Sequence, residues 1–97
     1  MKIYLHQPVD IQNDRFPHWW SKTYNSLAIP HKGDYIEDPI WKEPGEFVVE
    51  DVTINYYDDS CYVQIAKYNY VIPQSRKDEM SHIAELHGWE ASFRKKI

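Results

Sequence analysis

The stretch GEFVVEDVTINYYDDSCYVQIAKYNYVI, residues 45–72, reads as two long aromatic-rich strands folded back on each other at Tyr57-Asp58-Asp59-Ser60. Strand side chains alternate between faces with a period of two. In the first strand Phe47 and Val49 are odd-numbered apolar positions, whereas Val52, Ile54 and Tyr56 are even-numbered. Both groups can face one core only if an extra residue is taken up near Glu50-Asp51, which predicts a bulge there. The partner offers Cys61, Val63 and Ile65 in one phase and Tyr68, Tyr70 and Ile72 in the other, with a switch around Ala66-Lys67. Two strands that both bend curl a small sheet toward a barrel.

Working outward, Glu43-Pro44-Gly45-Glu46 carries a type II turn signal, since Pro fixes φ at its second position and Gly tolerates positive φ at the third. Gly33 supplies another turn before a short strand at Tyr35-Ile36, limited by Pro39. Residues 2–8 alternate, with Ile3 and Leu5 on one side, and predict a half-buried first strand. Residues 9–32 show no sustained period and read as an irregular, aromatic-rich connection, with a helical turn expected within Trp19 to Leu27. After Pro73, Ser75 and Asp78 approximate a capping box, and Met80, Ile83, Ala84 and His87 form an apolar stripe, which predicts a helix over 75–87. Gly88 is placed to end it, and a final strand is expected over 89–95. The expected fold is α+β: a small curled antiparallel sheet or partly open barrel of about five strands, with one C-terminal helix packed on it and a last strand, all in a single domain.

Composition bounds the rest. Ninety-seven residues with 42% hydrophobic and 27% charged side chains suit one globular domain, burying roughly two thirds of its unfolded surface. Four Trp, eight Tyr and three Phe exceed what so small a core can hide, so rings are expected at the surface. Net charge of −4 disfavours duplex nucleic acid, whose binding depends on neutralising phosphates. Asp34 to Asp59 holds nine carboxylates against one lysine, which reads as an acidic sheet edge. Cys61 is the only cysteine, so no disulfide forms within the chain, and a reducing, cytoplasmic setting is expected. No apolar run reaches membrane-spanning length, and no cofactor is implied.

The run from Ile29-Pro30 and Gly33-Asp34 through Phe47-Val48-Val49-Glu50-Asp51-Val52 to Tyr62-Val63-Gln64-Ile65 resembles small SH3-like barrel modules of short bacterial and phage-borne proteins, many uncharacterised. The resemblance covers residues 29–66. It implies a peptide- or nucleic-acid-binding module by analogy of fold.

The chemistry-bearing residue types give little. His82 and His87 are five apart on the expected helix and point to different sides, unlike the i, i+4 pairs that hold metals. His87, within the apolar stripe, reads as a core histidine. The carboxylate pairs Glu37-Asp38, Glu50-Asp51 and Asp58-Asp59 lie in strands or a turn, where neighbours diverge and no shared proton is expected. Cys61 lacks an activating neighbour and reads as a small hydrophobe. The surplus rings carry the functional reading: Trp19, Trp20, Trp41, Tyr57, Tyr62, Tyr68 and Tyr70 are the candidate binding residues. They suit a non-enzymatic protein-interaction or accessory module, with a protein partner or a homo-oligomer. The alternative is a single-stranded nucleic-acid binder that adds Arg94, Lys95 and Lys96 to the tyrosine face. A small hydrolase or transferase requires a cleft in which His18, His31 or His87 meets a carboxylate.

Overall fold

In the computed structural model, which describes residues 1–26, 28–37 and 46–92, the chain builds a curled mixed sheet with one helix. In chain order the elements are β1 (Lys2–Val9), β2 (His18–Asn25), β3 (Tyr35–Ile36), β4 (Phe47–Asn55), β5 (Ser60–Ile65), a 3-10 turn (Gln74–Arg76), α1 (Lys77–Leu86) and β6 (Glu90–Ser92). The sheet order is β3-β4-β5-β1-β2-β6. The expected α+β class, with its curled sheet, single C-terminal helix and final short strand, is the fold observed.

The β4–β5 hairpin turns at residues 56–59, as the alternation requires, and its register slips between Val49 and Asp51, where the phase change demanded a bulge. Phe47 and Val49 then face the core before the bulge, and Val52 is half-buried opposite Val63 after it. Ile54 and Tyr56 are exposed, because the end of the hairpin runs past the limit of the core. Gly33 turns the chain at φ +95°, and its N–H donates to the Val49 carbonyl to seat the turn beside β4. The Pro44-Gly45 turn and Trp41 lie outside the described residues.

Four expectations are corrected. Residues 18–25 are neither irregular nor helical: they form β2, antiparallel to β1 with Ile3 opposite Tyr24 and Gln7 opposite Trp20. The strand hid its period because Lys22 shares the inward phase with Trp20 and Tyr24, so aromatic β propensity was the better guide. Second, the sheet is mixed rather than antiparallel, since β1 also pairs β5 in parallel, Ile3 beside Cys61 and Leu5 beside Val63. Third, β5 stops at Ile65 instead of continuing to Ile72. Beyond it the chain turns across the end of β1, where Tyr68 N–H donates to the Pro8 carbonyl and Ile11 bridges Ile72. Gln7 reinforces this exit: wholly buried, it donates from Nε2 to the Ala66 carbonyl at 3.2 Å. Fourth, the capping box does not form. A 3-10 turn occupies Gln74–Arg76, Arg76 becomes the N-cap, and no side chain caps the helix.

At its other end α1 closes as the glycine signal requires. Gly88 adopts φ +85°, its N–H donates to the Glu85 carbonyl, and Trp89 N–H donates to the Ala84 carbonyl, the paired bonds of a Schellman motif. That reversal drops Trp89 into the core beside Met80 and Ala84. One cluster of buried side chains, from Ile3 and Leu5 on β1 through Cys61, Val63 and Ile65 on β5 to Trp89, holds sheet and helix together. The final strand is described over Glu90–Ser92, where it pairs the start of β2.

Candidate functional site

The turn of the β4–β5 hairpin presents the most exposed rings among the described residues. Tyr57 is 97% and Tyr56 82% exposed, although the backbone beneath them is held firmly. Asn55 Oδ1 accepts from the N–H of Tyr57 at 3.0 Å and of Asp58 at 3.3 Å, while its Nδ2 donates to Asp58 Oδ2 at 3.1 Å. Such an Asn side chain mimics a backbone turn and tolerates the tight geometry around it. Asp59 takes the left-handed conformation at φ 54°, and its carbonyl accepts from Lys2 N–H at 3.1 Å, which ties the turn to β1. The result is two tyrosines and two carboxylates on a fixed platform.

The other candidate rings separate by face. Tyr62 is half-buried on the outer face of the sheet, stacked between Tyr4 at 5.0 Å and His6 at 5.9 Å. Tyr4 stands beside Tyr62 in the parallel register, so the stack is a cross-strand pair that stabilises the β1–β5 seam. Tyr68 is buried against Phe47, their ring centroids 6.2 Å apart, and exposed Tyr70 meets it edge-on at 5.9 Å. Trp20 is buried in the core and Trp19 half-buried. The six candidates among the described residues therefore do not converge on one surface. Tyr56, which shares the apolar phase of Val52 and Ile54 in the sequence, is exposed as well. Two adjacent strand residues cannot share a face, but both rings of a turn can point outward.

A second feature lies at the start of β2. Residues 13–20, with Ala91 of β6, enclose an open cleft of about 450 Å³ walled largely by carbon, Phe16, Trp19 and Trp20 among its lining. At its edge His18 Nε2 lies 2.6 Å from Asp14 Oδ2. Asp14 is also reached by Gln74 Nε2 at 2.6 Å and Lys77 Nζ at 3.4 Å from across the fold. The hydrogen bond from His18 holds the Asp14 carboxyl below its ordinary value of 3.8 against an opposing desolvation, with Lys77 and Gln74 assisting. Asp14 is thus the hub that fastens the β1–β2 connection to the start of α1. Here a histidine does meet a carboxylate in a cleft, yet no hydroxyl or thiol nucleophile lines it among the described residues.

Cys61 is fully buried, and burial pushes its thiol up, away from the reactive thiolate. No group of three or more His, Cys, Asp or Glu side chains among the described residues is placed to hold a metal ion. No helix there is long and apolar enough to cross a membrane. The chain matches no family model, and neither a curated protein nor a solved structure is similar to it.

Proposed function

We propose that the protein is a non-enzymatic interaction module that docks a protein partner through the Tyr56-Tyr57-Asp58-Asp59 turn. The observation that carries this reading is the combination of nearly complete ring exposure with a backbone already fixed by Asn55 and Lys2. Tyrosine brings large amphipathic area at low conformational cost, and a turn ordered before binding leaves little entropy to lose on association. Two carboxylates beside the rings select a partner with an apolar pocket rimmed by Lys or Arg. The same carboxylates oppose a tip-to-tip dimer of this chain, in which like charges would meet. The resemblance of residues 29–66 to SH3-like binding modules supports the same class of function by analogy of fold.

A photo-crosslinking amino acid at Tyr57, introduced in the native host, is the direct test. A discrete protein adduct that is lost in a Tyr56→Ala/Tyr57→Ala double variant of unchanged circular dichroism is the expected result. Absence of any adduct, together with a monomer in light scattering, overturns the reading. Salt-sensitive quenching of the tryptophans by single-stranded oligonucleotides would replace it with the nucleic-acid alternative.

A further inference from the structure

Away from the tyrosine turn, and independent of it, we propose that the cleft formed by residues 13–20 and β6 binds a small aromatic carboxylate: a flat ring system carrying one anionic group. Three observations converge. The first is shape: about 450 Å³ of largely carbon-lined space falls within the size of ordinary small-molecule sites. Phe16 borders it with its ring 73% exposed, an apolar face of the kind that a flat ligand covers.

The second is the sign of the local charge. In a chain of net charge −4, this corner sets Arg15 and Lys77 against the single carboxylate Asp14. Asp14 also lines the cleft, but its carboxylate is already engaged by His18, Gln74 and Lys77. Arg15 is different. Its guanidinium lies 5.6 Å above the Phe16 ring, and no carboxylate among the described residues pairs with it. A guanidinium beside an exposed aromatic ring can offer its planar fork to a carboxylate while the ring takes the ligand's apolar body.

The third is preformation. The connection that carries Arg15 and Phe16 is fixed on both sides, by Gln12 N–H donating to the Ile72 carbonyl at 2.8 Å and by the Asp14 bonds to Gln74 and His18. A cationic ligand would meet Arg15 unfavourably, and a plain anion would leave Phe16 uncovered. An anion with a flat apolar body matches both.

The test is a titration of the isotope-labelled full chain, followed by amide chemical shifts, with 2-naphthoate, 2-naphthylmethylammonium and acetate. Saturable shifts confined to residues 13–20 and 91, seen with naphthoate and not with the other two, are the expected outcome. Arg15→Gln, an exposed change that leaves the remaining spectrum intact, is expected to weaken naphthoate binding by about tenfold or more. Phe16→Ala is expected to weaken it as well, while Tyr56→Ala/Tyr57→Ala leaves it unchanged. Equal binding of the ammonium analogue, shifts elsewhere in the sheet, or no saturation at millimolar ligand overturns the proposal. So does a peptide ending in Phe that binds the cleft at least about tenfold more tightly than naphthoate, since the site would then serve chain termini.

Discussion

Ser60 and Cys61 stand side by side at the start of β5, and both are almost fully withdrawn from water. The Ser60 hydroxyl is buried without a hydrogen-bond partner, so the native state carries its desolvation with no return. Ser60→Ala should therefore raise stability by about 1 kcal/mol, read as a higher denaturant midpoint at unchanged slope. A lower midpoint would show that the hydroxyl does bond in solution. Cys61, with its thiol pushed up by burial, should react with a thiol reagent only at the rate of global opening and at full speed in denaturant. At this scale the sequence was legible wherever one residue decides a backbone conformation or a burial. Gly88 takes the positive φ that its place at the helix end predicted, Gly33 turns the chain where expected, and Cys61 is a small apolar residue, buried more deeply than its flanks suggested. Gln7 was not legible: a buried amide that holds the carbonyl of Ala66 depends on a partner distant in the chain, and nothing local announces it.

Elements were readable where their period was clean. The bulge followed from a phase conflict between Val49 and Val52, and the α1 stripe from Met80, Ile83 and Ala84, of which Met80 and Ala84 are buried. The strand β2 was missed because its inward row mixes Lys22 with Trp20 and Tyr24, and α1's expected cap failed because a 3-10 turn consumed Ser75. Two elements can be probed directly. Asn55→Ala removes three bonds from the hairpin turn and should cost about 1 kcal/mol of stability. If the turn docks a protein as proposed, the change should also weaken that docking although both tyrosines remain, because the turn would then order only on binding. The link between the β1–β2 connection and α1 is a pH matter. Because the folded-state carboxyl of Asp14 is depressed below 3.8, chiefly by His18, its contribution to stability is complete above that value and is lost as pH falls through the depressed one. Asp14→Asn should then melt below the wild type at neutral pH, with the gap closing progressively below about pH 4. A gap that stays constant down to acid would show that the carboxylate's charge is not what fastens the helix.

For the whole molecule, the curled sheet under one helix was expected, and the parallel contact at its centre was not. Alternation shows which face of a strand is buried and is silent about which strand lies beside it. The candidate binding rings divide for the same reason: Tyr62 stacks on Tyr4 of β1, and Tyr68 packs on Phe47 of β4 while its N–H bonds the Pro8 carbonyl. Leu5, buried opposite Val63 in the central seam, is the residue on which the two halves of the sheet depend. Leu5→Ala should cost about 3 kcal/mol and lower the melting temperature in a single cooperative step. Two separate transitions would mean that the β1–β2 and β4–β5 ribbons are independent units.

The parallel pairing of β1 with β5 sets the order in which a ribosome can complete this fold. The first strand and its antiparallel companion emerge early, but the inner neighbour of Ile3 is Cys61, translated roughly several seconds later at ordinary elongation rates. For that interval the nascent ribbon offers one lip of unsatisfied amides and carbonyls bearing Ile3 and Leu5, the kind of surface on which another chain can add a strand. That lip closes only when the β4–β5 hairpin arrives and β5 pairs with β1.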